Sequence, residues 1–61
     1  MSLHHRAVIK AYNTGDVFVR ETTDIGFPWG TKWEDKPAIA DEVARLRKRY
    51  DVVKVDVRDA G

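Results

Sequence analysis

RAVIKAYNTGDVFVRET, residues 6–22, is the stretch on which the fold turns. Its first seven residues alternate, with Ala7, Ile9 and Ala11 on one side and Val8, Lys10 and Tyr12 on the other. A two-residue period of this kind marks a strand with one buried face. Residues 16–22 alternate again, setting Val17 and Val19 against Phe18 and Arg20. Between the runs lies Asn13-Thr14-Gly15. A three-residue hairpin loop fits it, with Gly15 in the left-handed conformation that glycine adopts without steric cost. The expected pairs are then Tyr12–Asp16, Ala11–Val17, Lys10–Phe18, Ile9–Val19 and Val8–Arg20. This register gathers Ala7, Ile9, Ala11, Val17 and Val19 on one face. A two-residue Thr14-Gly15 loop would slip every pair by one and bring Lys10 beside Val17 and Val19.

Downstream, DKPAIADEVARLRKRY (35–50) reads as a helix. Asp35 suits the N-cap, and Pro37 is tolerated in the first turn, where its missing donor would be unpaired anyway. Ile39, Val43, Leu46 and Tyr50, with Ala40 beside them, form one apolar stripe. Asp41 and Glu42 lie early and Arg45, Arg47, Lys48 and Arg49 late, which complements the helix dipole. DVVKVDVRD (51–59) then alternates Val53, Val55 and Val57 against Lys54, Asp56 and Arg58.

The order strand, strand, helix, strand constrains the topology. Two strands joined tightly run antiparallel, and the helix returns the chain so that strand three runs parallel to strand two. A right-handed crossover places strand three beside strand one. The expectation is one α+β domain over residues 1–61, of ββαβ order. Its three-stranded antiparallel sheet has order 2-1-3, with one helix packed on one face. Ala7 and Ala11, being small, suit a central strand beneath that helix. The expected core is Ile9, Val17, Val19, Ile39, Val43, Leu46, Tyr50, Val53, Val55 and Val57. Residues 1–5 read as an irregular or vector-derived terminus.

FPWGTKW (27–33) places half of the aromatics of a chain with two Trp, two Tyr and two Phe in one segment. Pro28 and Gly30 punctuate it, so residues 23–35 read as a long aromatic loop. Phe27 and Trp33 are expected to fold over the core. Trp29, between a proline and a glycine, is expected at an exposed tip, available to a partner. Thr31 and Glu34 fit a capping box, which allows a short helical turn before Pro37.

Composition narrows function by exclusion. Eleven basic against ten acidic residues give a net charge of +1, too balanced for a global attraction to nucleic acid. The chain has no cysteine, so neither disulfides nor a thiolate metal site can brace it. No apolar run is long enough to span a membrane. The cysteine-free chain, without a targeting segment, reads as cytoplasmic. His4 and His5 are adjacent and point opposite ways in extended chain, so they do not chelate one ion. The only serine is Ser2; Asp41 and Glu42 serve the start of the helix, and Asp51, Asp56 and Asp59 sit among basic neighbours. No nucleophile, matched acid and base, cofactor motif or metal motif is visible.

One helix covers one sheet face and leaves the other open. That open face is expected to carry Arg6, Val8, Lys10, Tyr12, Phe18, Arg20, Thr22, Val52, Lys54, Asp56 and Arg58. Two functions follow. The first is a non-catalytic binding module that forms a homodimer or docks on a protein through Trp29, Val8, Tyr12 and Phe18. The alternative is single-stranded nucleic-acid binding, with bases stacked on Tyr12 and Phe18 and phosphates held by Lys10, Arg20, Lys54 and Arg58. RLRKR (45–49) also invites an anionic partner, but a solvated helix end explains it as well.

Overall fold

A computed structural model describes residues 4–60. The described residues form three strands: β1 (His4–Tyr12), β2 (Glu21–Pro28) and β3 (Val52–Ala60). A single 3-10 turn, Trp33–Asp35, and a helix, α1 (Pro37–Arg49), connect β2 to β3. The sheet has order β2-β1-β3, with both pairs antiparallel. The expected ββαβ order and strand arrangement are therefore found. Among the described residues, no helix is long and apolar enough to cross a membrane.

The second strand is not where the alternation of residues 16–22 placed it. Ala11 pairs with Glu21 and Ile9 with Thr23, four residues beyond the expected partners Val17 and Val19. Gly15 does take the left-handed conformation, at φ 93°, and Asp16 N donates to Asn13 O at 2.9 Å, but the three-residue hairpin loop is not found, because residues 13–20 join β1 to β2. The chain then loops instead of pairing, and returns where Arg20 N donates to Ala11 O at 2.9 Å. Pairing length explains the outcome. The observed register matches β1 with β2 continuously from His4–Pro28 to Ala11–Glu21. The expected hairpin, with its second strand ending at Thr22, would leave His4 and His5 at the start of β1 with unpaired backbone groups on that side. The observed register also brings Phe27 onto the helix-covered face, where it is buried. Because the shift is even, the two faces of β1 keep their residues.

The core consists of Ala7, Ile9 and Ala11 from β1, Phe27 from β2, and Ile39, Val43 and Leu46 from α1. Ile25, Trp33, Tyr50, Val53 and Val55 pack around it half-buried. Ala7 and Ala11 are fully buried, which is how small central-strand residues let the helix sit close. Burying each of Ile39 and Leu46 contributes about 1.5–3 kcal/mol. Three expected core residues are outside it: Val17 and Val19 lie in the loop, and Val57, though on the helix-covered face, is 44% exposed. Phe27 and Trp33 do cover the core, Phe27 from a strand and Trp33 from the 3-10 turn.

Two further boundaries differ from the sequence reading. β1 begins at His4, so His4 and His5 are in the sheet; residues 1–3 lie outside the described residues. β2 takes in residues 23–28 of the expected aromatic loop, which shortens to Trp29–Lys36 around the 3-10 turn. That turn is the one anticipated before Pro37, but it has no side-chain cap. The N-cap of α1 is Lys36, at φ −99° and ψ 110°, rather than Asp35. The residue before a proline is driven extended, which moves the helix start to Pro37.

Candidate functional sites

Cross-strand register builds the open face in rows. Thr22, Lys10 and Lys54 form one; Asp24, Val8 and Asp56 the next; Gly26, Arg6 and Arg58 the third. Tyr12 and Val52 close the end near the loop. An acidic row thus separates two basic ones. Arg6 Nε lies 3.1 Å from Asp24 Oδ1, and Arg58 Nε donates to Asp56 Oδ2 at 3.0 Å. Those two guanidiniums are already matched by carboxylates.

Phe18 and Arg20, expected on this face, are in the loop and not on it. Asp24, which the sequence reading placed in the aromatic loop, adds a carboxylate instead. The alternation of Thr23, Ile25 and Phe27 with Asp24 and Gly26 was the signal that could have found it. What remains is Lys10 directly opposite Lys54, with Lys54 Nζ 6.0 Å from the Tyr12 ring centre. Among the described residues neither lysine has a carboxylate partner. Like charges opposed across a ladder are unfavourable. Val8 is half-buried between Asp24 and Asp56, and Tyr12 is also half-buried.

The second surface is the loop from Asn13 to Arg20. Val17 and Phe18 are 86% and 81% exposed. Their backbone is held at the base. Asp16 Oδ2 accepts from Asn13 N at 2.8 Å and from Arg20 Nε at 3.2 Å, and Arg20 Nη2 donates to Asp16 Oδ1 at 3.2 Å. Arg20 and the Asn13 amide draw the Asp16 carboxyl below its ordinary value. Asp51 N donates to Asn13 Oδ1 at 3.1 Å, which ties the loop to the start of β3. An open concavity is lined by Gly15 to Arg20. The result is a braced loop with an apolar tip in water.

At the opposite end of the sheet, Trp29 follows β2 and is 56% exposed. It is not a free tip, because its ring stacks on His5. The basic run 45–49 is partly consumed within the fold. Arg45 donates to Glu42 Oε1 at 2.6 Å and to Glu21 Oε1 at 3.4 Å, while Arg49 Nη1 lies 3.6 Å from Glu21 Oε2. Thr23 Oγ1 donates to Glu42 Oε2 at 2.8 Å. These contacts fasten α1 to β2. Arg45 and Thr23 hold the Glu42 carboxyl low, and the Tyr50 hydroxyl with Arg45 and Arg49 does the same for Glu21.

Among the described residues, no group of three His, Cys, Asp or Glu side chains converges to hold a metal ion. The chain matches no protein-family model, no curated protein and no solved structure.

Proposed function

We propose that the protein is a small non-catalytic binding module that associates with copies of itself or with a protein partner. The carrying observation is the loop tip. Val17 and Phe18 stand in water on a backbone held by Asp16, Arg20 and Asp51, so their exposure is built in rather than incidental to a slack loop. A pre-positioned aromatic anchor buries a large area on contact at small entropic cost. The test is Phe18→Ser. It should leave the unfolding transition within about 0.5 kcal/mol of the parent, as for other surface changes, and weaken association measured by sedimentation. Association of the variant at parental strength removes the loop tip as the contact surface.

A second reading rests on the opposed lysines. Lys10 and Lys54 beside Tyr12 would hold a phosphate with a base stacked nearby, the arrangement of a single-strand binder. With Phe18 and Arg20 off the face and Arg6 and Arg58 paired, the footprint is about one or two nucleotides, and affinity should be low and strongly salt-dependent. Undetectable binding to mixed single-stranded oligonucleotides at low salt removes this reading.

A further inference from the structure

The sheet ends in two edges that differ in kind. β2 carries Gly26 and ends in Pro28, and Thr23 and Glu21 tie it to α1. Glycine and proline both weaken a strand as a pairing template. β3 runs nine residues, Val52–Ala60, with valine at 52, 53, 55 and 57 and neither glycine nor proline. Its outer N–H and C=O groups face no strand among the described residues. An uninterrupted edge of this kind invites strand addition.

We propose that β3 pairs antiparallel with β3 of a second copy, across a two-fold axis at Val55, to make a six-stranded sheet from two three-stranded ones. The proposal rests on the self-association reading above and adds to the loop tip a second surface, the β3 edge. A two-fold axis makes the contact isologous, so every pair occurs twice. Registers that keep both helices on one face differ only in which residue of β3 lies on the axis. On Lys54, that lysine would face itself. On Asp56, the carboxylate would face itself and Lys54 would face Arg58 of the partner subunit. On Val57, Asp56 would face Arg58 of the partner subunit, but Val55 would oppose Asp59, which His5 already holds at 3.0 Å. With Val55 on the axis, Lys54 faces Asp56 of the partner subunit, and Val53 faces Val57 of the partner subunit. Opposite charges then meet on the open face and valines on the helix-covered face. This register also gives Val57, 44% exposed, an apolar neighbour. Lys54, otherwise opposed only by Lys10 and Thr22 along its row, gains a carboxylate.

Charge reversal tests the register. Lys54→Asp places two carboxylates together at both symmetric contacts, and Asp56→Lys does the same with cations. Each should weaken the dimer by at least about tenfold, and the double reversal should restore it. Circular dichroism checks that each variant remains folded. Val55→Cys supplies an independent measurement, because the parent has no cysteine. Mild oxidation should cross-link Val55→Cys into dimers much faster than Val57→Cys, since only position 55 meets itself within disulfide range. A dimer unaffected by either reversal, and no preference for position 55, overturns the β3 pairing while leaving association through the Phe18 loop intact. Weakening by Asp56→Lys without rescue by Lys54→Asp overturns the Val55 register. A parent that never self-associates overturns this inference and the self-association half of the reading beneath it, leaving only the protein partner.

Discussion

The imidazole of His5 lies flat against the indole of Trp29, with ring centroids 5.4 Å apart and planes 4° from parallel. His5 also sits 5.2 Å from the Phe27 ring, and its Nδ1 is 3.0 Å from Asp59 Oδ1. In the register, Phe27, His5 and Asp59 form one row across all three strands. One histidine therefore joins the end of β2 to β1 and β3.

That relationship makes Trp29 partly structural. Trp29→Ala should cost about 0.5–1.5 kcal/mol, the usual contribution of an aromatic pair. In a double-mutant cycle with His5→Ala, the two losses should not add. Urea unfolding of both single variants and the double variant measures the coupling. Strict additivity would show that the stack contributes nothing.

Phe27 carries far more. It is 3% exposed against the helix, so Phe27→Ala should cost about 3–5 kcal/mol, a large share of what so small a domain has. Trp33→Ala, at a half-buried site, should cost less. Chemical unfolding ranks them. Trp33→Ala as the more damaging change would place the hinge of the core in the 3-10 turn.

Stability should fall at both ends of the pH range. Asp16, Glu21 and Glu42 have native carboxyls held below their ordinary values. Their contribution is complete above the unfolded carboxylate value of about 4 and is lost as pH falls through the lower native values. Tyr50 is raised, chiefly by the Glu21 carboxylate, so its contribution is complete below about pH 10 and is lost as pH climbs through the native value. Glu42→Gln should flatten the acid limb and Tyr50→Phe the alkaline limb of a melting-temperature profile. An unaltered acid limb in Glu42→Gln would detach that carboxylate from the stability of the fold.

The opposed lysines make a separate prediction. Lys10→Glu turns a repulsive cross-strand pair into an attractive one and should raise stability by about 0.2–1 kcal/mol. It should also abolish any weak binding of single-stranded oligonucleotides. Thermal unfolding and fluorescence anisotropy read the two effects. A destabilised variant would show that Lys10 has a favourable contact that the register does not reveal.

The elements with strong periodicity were legible in the sequence. The valine alternation of β3 and the stripe Ile39, Val43 and Leu46 of α1 each name a buried face, and the return of the chain by the helix leads to order 2-1-3. The second strand was not, because two signals competed. Val17, Phe18 and Val19 have high β propensity and follow a genuine turn at Asn13–Asp16, whereas ETTDIGFP has Gly26, Pro28 and polar residues that argue against a strand. Tertiary context decided between them. Pairing the whole of β1 and burying Phe27 outweighed exposing three apolar loop residues, a comparison no local window contains. The same error misplaced Phe18 and Arg20, so the residues of the open face were legible on β1 and β3 and misplaced on β2.

We propose that a second copy completes this domain, which has an apolar loop tip at Phe18 and a β3 edge that faces no strand among the described residues. Sedimentation equilibrium of the unaltered protein, at physiological salt and from low to high micromolar concentration, tests it most directly. The expected result is a reversible rise in weight-average mass toward twice that of the chain, with dissociation on the order of micromolar or weaker for so small a contact. A mass that stays at that of one chain across the whole range would contradict self-association, and with it the pairing of β3.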